Sequence, residues 1–266
     1  MKSSKRIKNH ALVVKVSAWS YLILALLYPI FTLSAMSVDT ASVNLVDFLT
    51  GLSSSGITNK IVLTIFAVIP ALLITGGVGF YSAVKPYSYK LSGVSLIFTV
   101  FAAVGFIIGI GRWPSLNWGL GEAFVQYKNT SEYILSFYNI SNHMLGYWIG
   151  QVFAEISLFT SIGVMSIVMF NSKRFPVWLC GFASVIFILG VAATFRNMSE
   201  AALWTHSFIS SFMLVPIFFI LLSIALFRFV GKSKEKPIGN YAKKKFKNIK
   251  KPKEKKVKKK KAPKKS

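Results

Sequence analysis

Four polar residues, His143, Tyr147, Gln151 and Glu155, recur at intervals of four in an otherwise apolar stretch. On a helix that spacing drifts only about 40° per step, so it draws one polar stripe down a single face. Glu155 lies about ten residues inside the stretch, roughly 13–15 Å from its outer end. If the stretch crosses a membrane, a carboxylate at that depth is costly unless it is paired, hydrated or protonated, and it marks a functional site by default. The competing reading is a packed, protonated or salt-bridged structural residue. Gly146, Gly150 and Ala154 form a second stripe beside the first, small enough to let another helix approach closely.

His206, Ser207, Ser210 and Ser211, with Glu200 ahead of them, offer polar partners from a later apolar run. Arg112 and Arg196 stand at the outer ends of two others and are candidate charge partners for Glu155, Glu200, Asp39 or Asp47. The expected ligand-binding set is therefore His143, Tyr147, Gln151, Glu155, Glu200 and His206, with Arg112 and Arg196 balancing charge.

Other chemistry has little to stand on. The three histidines, His10, His143 and His206, lack metal-ligand spacing, and there is no HExxH, phosphate-binding P-loop, GxSxG or CxxCH. No catalytic residue, metal or cofactor is assigned. The single cysteine, Cys180, excludes an intrachain disulfide and reads as a small packing residue.

The elements that must hold these residues are six apolar runs, at about 12–35, 61–84, 91–111, 146–170, 177–195 and 206–230. Each is long enough, or nearly so, to cross a ~30 Å hydrocarbon core as a helix. Hydrophobic residues make up 53% of the chain, and the mean hydropathy is +0.55 despite a lysine-rich end. A formal charge of +24 would suit a nucleic-acid binder if it were spread evenly, but it is not. With the N-terminus inside, all but Lys60, Arg112, Lys128 and Arg196 of the 32 Lys and Arg residues fall on the inner side. That bias selects cytoplasmic N- and C-termini and an even number of spans. A cleaved signal peptide over residues 1–36 is the rival for the first run, although the run exceeds a usual signal core.

The expected fold is thus all-α, an integral membrane six-helix bundle over 1–230, with a disordered polybasic tail over 231–266. The tail has almost no apolar content and carries Pro237, Pro252 and Pro263. Its lysines suit anionic lipid headgroups, at roughly 1 kcal/mol per residue near the surface. Nucleic acid is the disfavoured partner, because lysine runs bind phosphate without reading sequence. A membrane-protein partner would suit both the tail and the small-residue helix faces.

Tight inner turns at Lys85–Lys90 and Asn171–Pro176 should pack the second helix on the third and the fourth on the fifth. The long outer connections, 36–60 and 112–145, hold most of the remaining polar chemistry. Trp113 and Trp118 suit an interface belt, and 120–140 a short helix lying at the outer leaflet. Asn129, Asn139 and Asn197 open glycosylation triplets on the same side.

The pattern Leu52-Ser53-Ser54-Ser55-Gly56 with Asn59, then Gly105, Gly109-Ile110, His143 and Glu200, resembles a family of prokaryotic six-helix membrane proteins of unknown function. That family is distantly similar to the eukaryotic DRAM-type membrane proteins. The resemblance covers about 12–228 and implies the six-helix architecture, with Ser53, Gly56, His143 and Glu200 at matching positions. Ser54 departs from the usual Asp, Ala201 from an Arg that often follows the Glu, and the loop before His143 is longer than usual. Arg174-Phe175-Pro176-Val177-Trp178 is similar to the start of the fifth helix in a second uncharacterised six-helix family.

Three functional readings follow. The leading one is a lipid- or small-molecule-binding pocket open to the outer side. A proton- or ion-coupled transporter would titrate Glu155, although 12–111 and 146–230 show no convincing internal similarity. A non-catalytic assembly subunit would need only the tail and the small-residue faces. A membrane-embedded hydrolase or transferase trails these.

Overall fold

A computed structural model describes residues 2–38, 45–54, 56–127, 131–194 and 214–235. The described residues are almost entirely helical, with no strand among them. In chain order the helices are α1 (Lys2–Val38), α2 (Leu45–Ser54), α3 (Gly56–Val68), α4 (Ala71–Val84) and α5 (Tyr89–Gly111). A short π-helical turn, π1 (Trp113–Asn117), leads to α6 (Trp118–Gln126), and α7 (Ser131–Ser141) follows. A longer π-helical segment, π2 (Asn142–Phe153), leads directly into α8 (Ala154–Ser172); α9 (Val177–Thr194) and α10 (Leu214–Glu235) complete the series.

Among the described residues, five helical stretches are long and apolar enough to cross a membrane: Asn9–Leu27, Gly56–Val84, Tyr89–Gln126, Glu132–Ser172 and Val177–Thr194. The sixth expected run, 206–230, is described only from Leu214, and Leu214–Val230 is a shorter apolar helix. The chain divides into two units, Met1–Val230 and Gly231–Ser266. Residues 236–266, which include most of the expected disordered tail, lie outside the described residues.

Two expectations about helix limits change. The run at 61–84 is not one helix: α3 ends before Pro70 and α4 begins after it. Proline has no N–H for the helical ladder and clashes with the preceding turn, so the break falls where the chemistry requires it. The connection 112–145, expected as a loop with one short helix, is mostly helix, and α7, π2 and α8 run on without interruption. The two short turns, at 85–90 and 171–176, are tight as expected. At the second, Lys173 takes the left-handed conformation (φ 52°) that closes α8, and Pro176 sits immediately before α9.

Packing follows the chain, with α1 on α4, α4 on α5, α5 on α8 and α8 on α9. In lipid, apolar side chains gain little by leaving the solvent, so close backbone approach and hydroxyl hydrogen bonds must hold helices together. Both occur. A Cβ at Gly79 would run into the Ser17 Cβ, and the Ser17 hydroxyl donates to the Gly76 carbonyl at 2.5 Å. Ser161 of α8 hydrogen-bonds Thr99 at 2.7 Å and donates to the Ser95 carbonyl of α5 at 3.0 Å. Ser166 donates to the Cys180 carbonyl of α9 at 2.6 Å, and Ser223 of α10 to the Ala18 carbonyl of α1 at 2.7 Å. Tyr21 also stacks on Phe219 with ring centroids 5.1 Å apart, which seats α10 in the bundle beside α1. Trp19, Ile65, Phe101 and Ile188 point outward, as lipid-facing residues would.

Candidate functional site

The site is built where α5 ends against π2. Gly109 and Gly150 meet there so closely that a Cβ at Gly109 would run into the Gly150 Cα. One turn deeper, a Cβ at Gly105 would lie 2.8 Å from the Ala154 Cβ. The small-residue stripe Gly146, Gly150 and Ala154 thus finds its partner on α5, the third apolar run. At its outer member the approach is made by a side chain, since a Cβ at Gly146 would meet the Arg112 guanidinium carbon at 2.7 Å.

Arg112 is held from several sides. Its Nε donates to Asn142 Oδ1 at 2.9 Å, its Nη1 donates to the Gly109 carbonyl, and its guanidinium lies over the Trp113 ring, 4.7 Å from the centroid. Trp113 is in turn edge-packed on Phe48 of α2, 5.4 Å between centroids. The charge is fixed in position at the mouth of α5.

The π-helical winding of π2 sets the neighbouring groups. Its i→i+5 ladder brings residues five apart into register, where an α-helix would align residues three and four apart. Trp148 accordingly reaches back to His143, and its indole Nε1–H donates to His143 Nε2 at 3.2 Å. Tyr147 stacks on the His143 ring, 5.3 Å between centroids with the planes 23° apart. An indole N–H can only donate, so Nε2 is the accepting nitrogen and the ring proton sits on Nδ1.

A cleft of about 430 Å³ opens among these groups, lined by Arg112, Asn139, Asn142, His143, Gly146, Tyr147 and Gln151. His143 is exposed at its rim, while Arg112, Tyr147 and Gln151 are half-buried. Of the expected site residues, Arg112, His143, Tyr147 and Gln151 come together. Glu155 belongs to the turn beyond Gln151, is 6% exposed, and is not among the lining residues. Arg196, Glu200 and His206 lie outside the described residues, as does Asp39. Among the described residues no carboxylate lines the cleft.

Sequence reasoning did not assign Asn139 or Asn142 to the site. Asn139 drew attention only as a glycosylation acceptor, and Asn142 lies beside the four-residue stripe. The usable signal was the position of Asn142, four residues before Gly146 on the stripe that must face a neighbouring helix.

No protein-family model matches the chain, and no curated protein or solved structure matches it. The family resemblance carried by Ser53, Gly56, His143 and Glu200 gains no support from these comparisons.

Proposed function

We propose that the chain is a six-helix, multi-pass membrane protein with both termini cytoplasmic, and that it binds a lipid or small molecule in the cleft between α5 and π2. The cleft opens to the outer side. The charge bias supports this orientation, because Lys85, Lys90, Lys173 and Arg174 all lie in or next to the turns at the other ends of α4, α5, α8 and α9. The observation that carries the reading is the cleft itself, whose polar groups converge from α5, α7 and π2 on one concavity of ligand size. The tail beyond Gly231 would add a second, non-specific attraction to anionic headgroups on the inner side.

Native mass spectrometry of the protein extracted from its own membrane tests this. The wild-type chain should retain a bound molecule, and Asn139→Trp, which fills the cleft from an exposed rim position, should lose it without losing the fold. Identical spectra for the two proteins would contradict the reading.

One observation favours a second reading, the burial of Glu155 directly after the cleft-lining turn. In a proton-coupled transporter the cleft would be the outer access to that carboxylate. Glu155→Gln would then abolish coupled uptake while leaving ligand retention intact; for a binding pocket alone it would change neither.

A further inference from the structure

Resting on the reading of the cleft as a ligand site, we infer that its occupant is a lipid of the outer leaflet, whose polar head sits in the cleft while an alkyl chain runs back to the membrane along an apolar strip of π2. A soluble small molecule would leave that strip uncovered.

The helical stretch Glu132–Ser172 has 41 residues, whereas a ~30 Å hydrocarbon core takes about 20. On the proposed orientation its inner end is fixed by the turn that carries Lys173 and Arg174, so the outer edge of the core falls near Phe153. The lining residues Asn139, Asn142, His143, Gly146, Tyr147 and Gln151 all precede Phe153 and stand above that edge. A headgroup held there is lifted out of the plane of its neighbours.

Apolar side chains above the edge face headgroups and water rather than hydrocarbon, so exposed ones call for a partner. Met144 and Trp148 are such residues, about half exposed, and Phe153 continues their line at the edge itself. Their spacing of four and then five residues keeps all three on one side through the wider π-helical turn. They form a strip from the cleft to the hydrocarbon.

Strip and cleft share a wall. Trp148 lies on the strip, yet its indole N–H donates to His143 Nε2 at 3.2 Å, and its ring meets the Tyr147 ring edge-on with centroids 5.3 Å apart. His143 and Tyr147 both line the cleft. A molecule that touches both sides of this wall must be amphiphilic.

The volume fits the same division. A cleft of about 430 Å³ is near the lower end for ligands, with room for a headgroup and not for its chains. Asn139, Asn142, Tyr147 and Gln151 supply amide and hydroxyl groups to hydrogen-bond the head. The chain, which would meet water over the step between cleft and bilayer, is covered there by Met144 and Trp148.

The test is photo-crosslinking of the full-length chain in its own membrane, with a benzophenone side chain in place of Met144 or, as a control, of Ile188 on the outward side of α9. Each is made with and without Asn139→Trp, which fills the cleft. The Met144 position should add the mass of a lipid, and Asn139→Trp should cut that yield about fivefold or more, because the chain leaves when the head is shut out. At Ile188 lipid adducts should form equally in both. The inference is overturned if the Met144 position captures a protein, including a second copy of this chain, or captures nothing, or gives lipid adducts indifferent to Asn139→Trp. Native mass spectrometry separates that failure from failure of the ligand site. A retained molecule that has no alkyl chain and is lost from Asn139→Trp leaves the site standing and removes only the lipid; identical spectra for wild type and Asn139→Trp remove both.

Discussion

Gly150 is the residue on which the site depends most heavily, because α5 and π2 touch there through backbone. A Cβ at Gly150 would lie 2.6 Å from the Gly109 Cα, a contact that no flexible side chain can relieve. Gly150→Ala should therefore force the helices apart and lower stability by roughly 1–3 kcal/mol. Unfolding of the purified protein in detergent measures this, and a melting temperature equal to wild type would contradict the close approach. That a stripe of small residues lay beside the polar one was legible, since Gly146, Gly150 and Ala154 repeat at intervals of four. Which helix they meet was not, because Gly105 and Gly109 are spaced like many other small residues in apolar runs. His143, Tyr147 and Gln151 were legible for the same reason of spacing. The pairing of Asn142 with Arg112, thirty residues earlier, was not, because a contact between separate helices leaves no periodicity in one chain.

At the scale of elements, five of the apolar runs were readable from length and hydropathy, and two of the pairings, α4 on α5 and α8 on α9, from the short turns between them. The break at Pro70 was present in the sequence as a proline inside a run. The π-helical winding of π2 had no such sign, since an i→i+5 ladder differs from an α-helix in turn width and not in composition. Trp148 shows the consequence: it drew no attention in the sequence, yet it is the donor that orients His143. Trp148→Phe keeps a ring of similar packing and removes the N–H. It should cost stability no more than about 1.5 kcal/mol, yet weaken ligand retention, because His143 is then free to turn either nitrogen to the cleft. Equal retention in the variant and wild type would show that the indole bond has no part in orienting His143. The α5 to α8 interface should respond differently. Ser161→Ala removes the hydroxyl that bonds Thr99 and the Ser95 carbonyl, and should lower stability by about 0.6–2 kcal/mol with ligand retention unchanged. Unfolding in bicelles separates that loss from the site.

For the whole molecule, membrane residence follows from five helices of spanning length and composition, while the orientation rests on where the lysines and arginines lie. The tail should have no part in folding, because its residues beyond Gly231 are too poor in apolar side chains to pack. A chain truncated after Gly231 should insert and purify as the full chain does, and failure of that truncation to reach the membrane would give the tail a structural role. The central claim is that the cleft faces outward, and Asn139 lies on its exposed rim. The native Cys180 is buried and can be replaced by alanine, leaving a chain without other thiols. In that background, Asn139→Cys should be labelled in intact cells by a membrane-impermeant thiol reagent added outside, and pre-incubation with the bound ligand should slow the labelling. Labelling only after the cells are permeabilised would turn the molecule over and place the cleft on the cytoplasmic side.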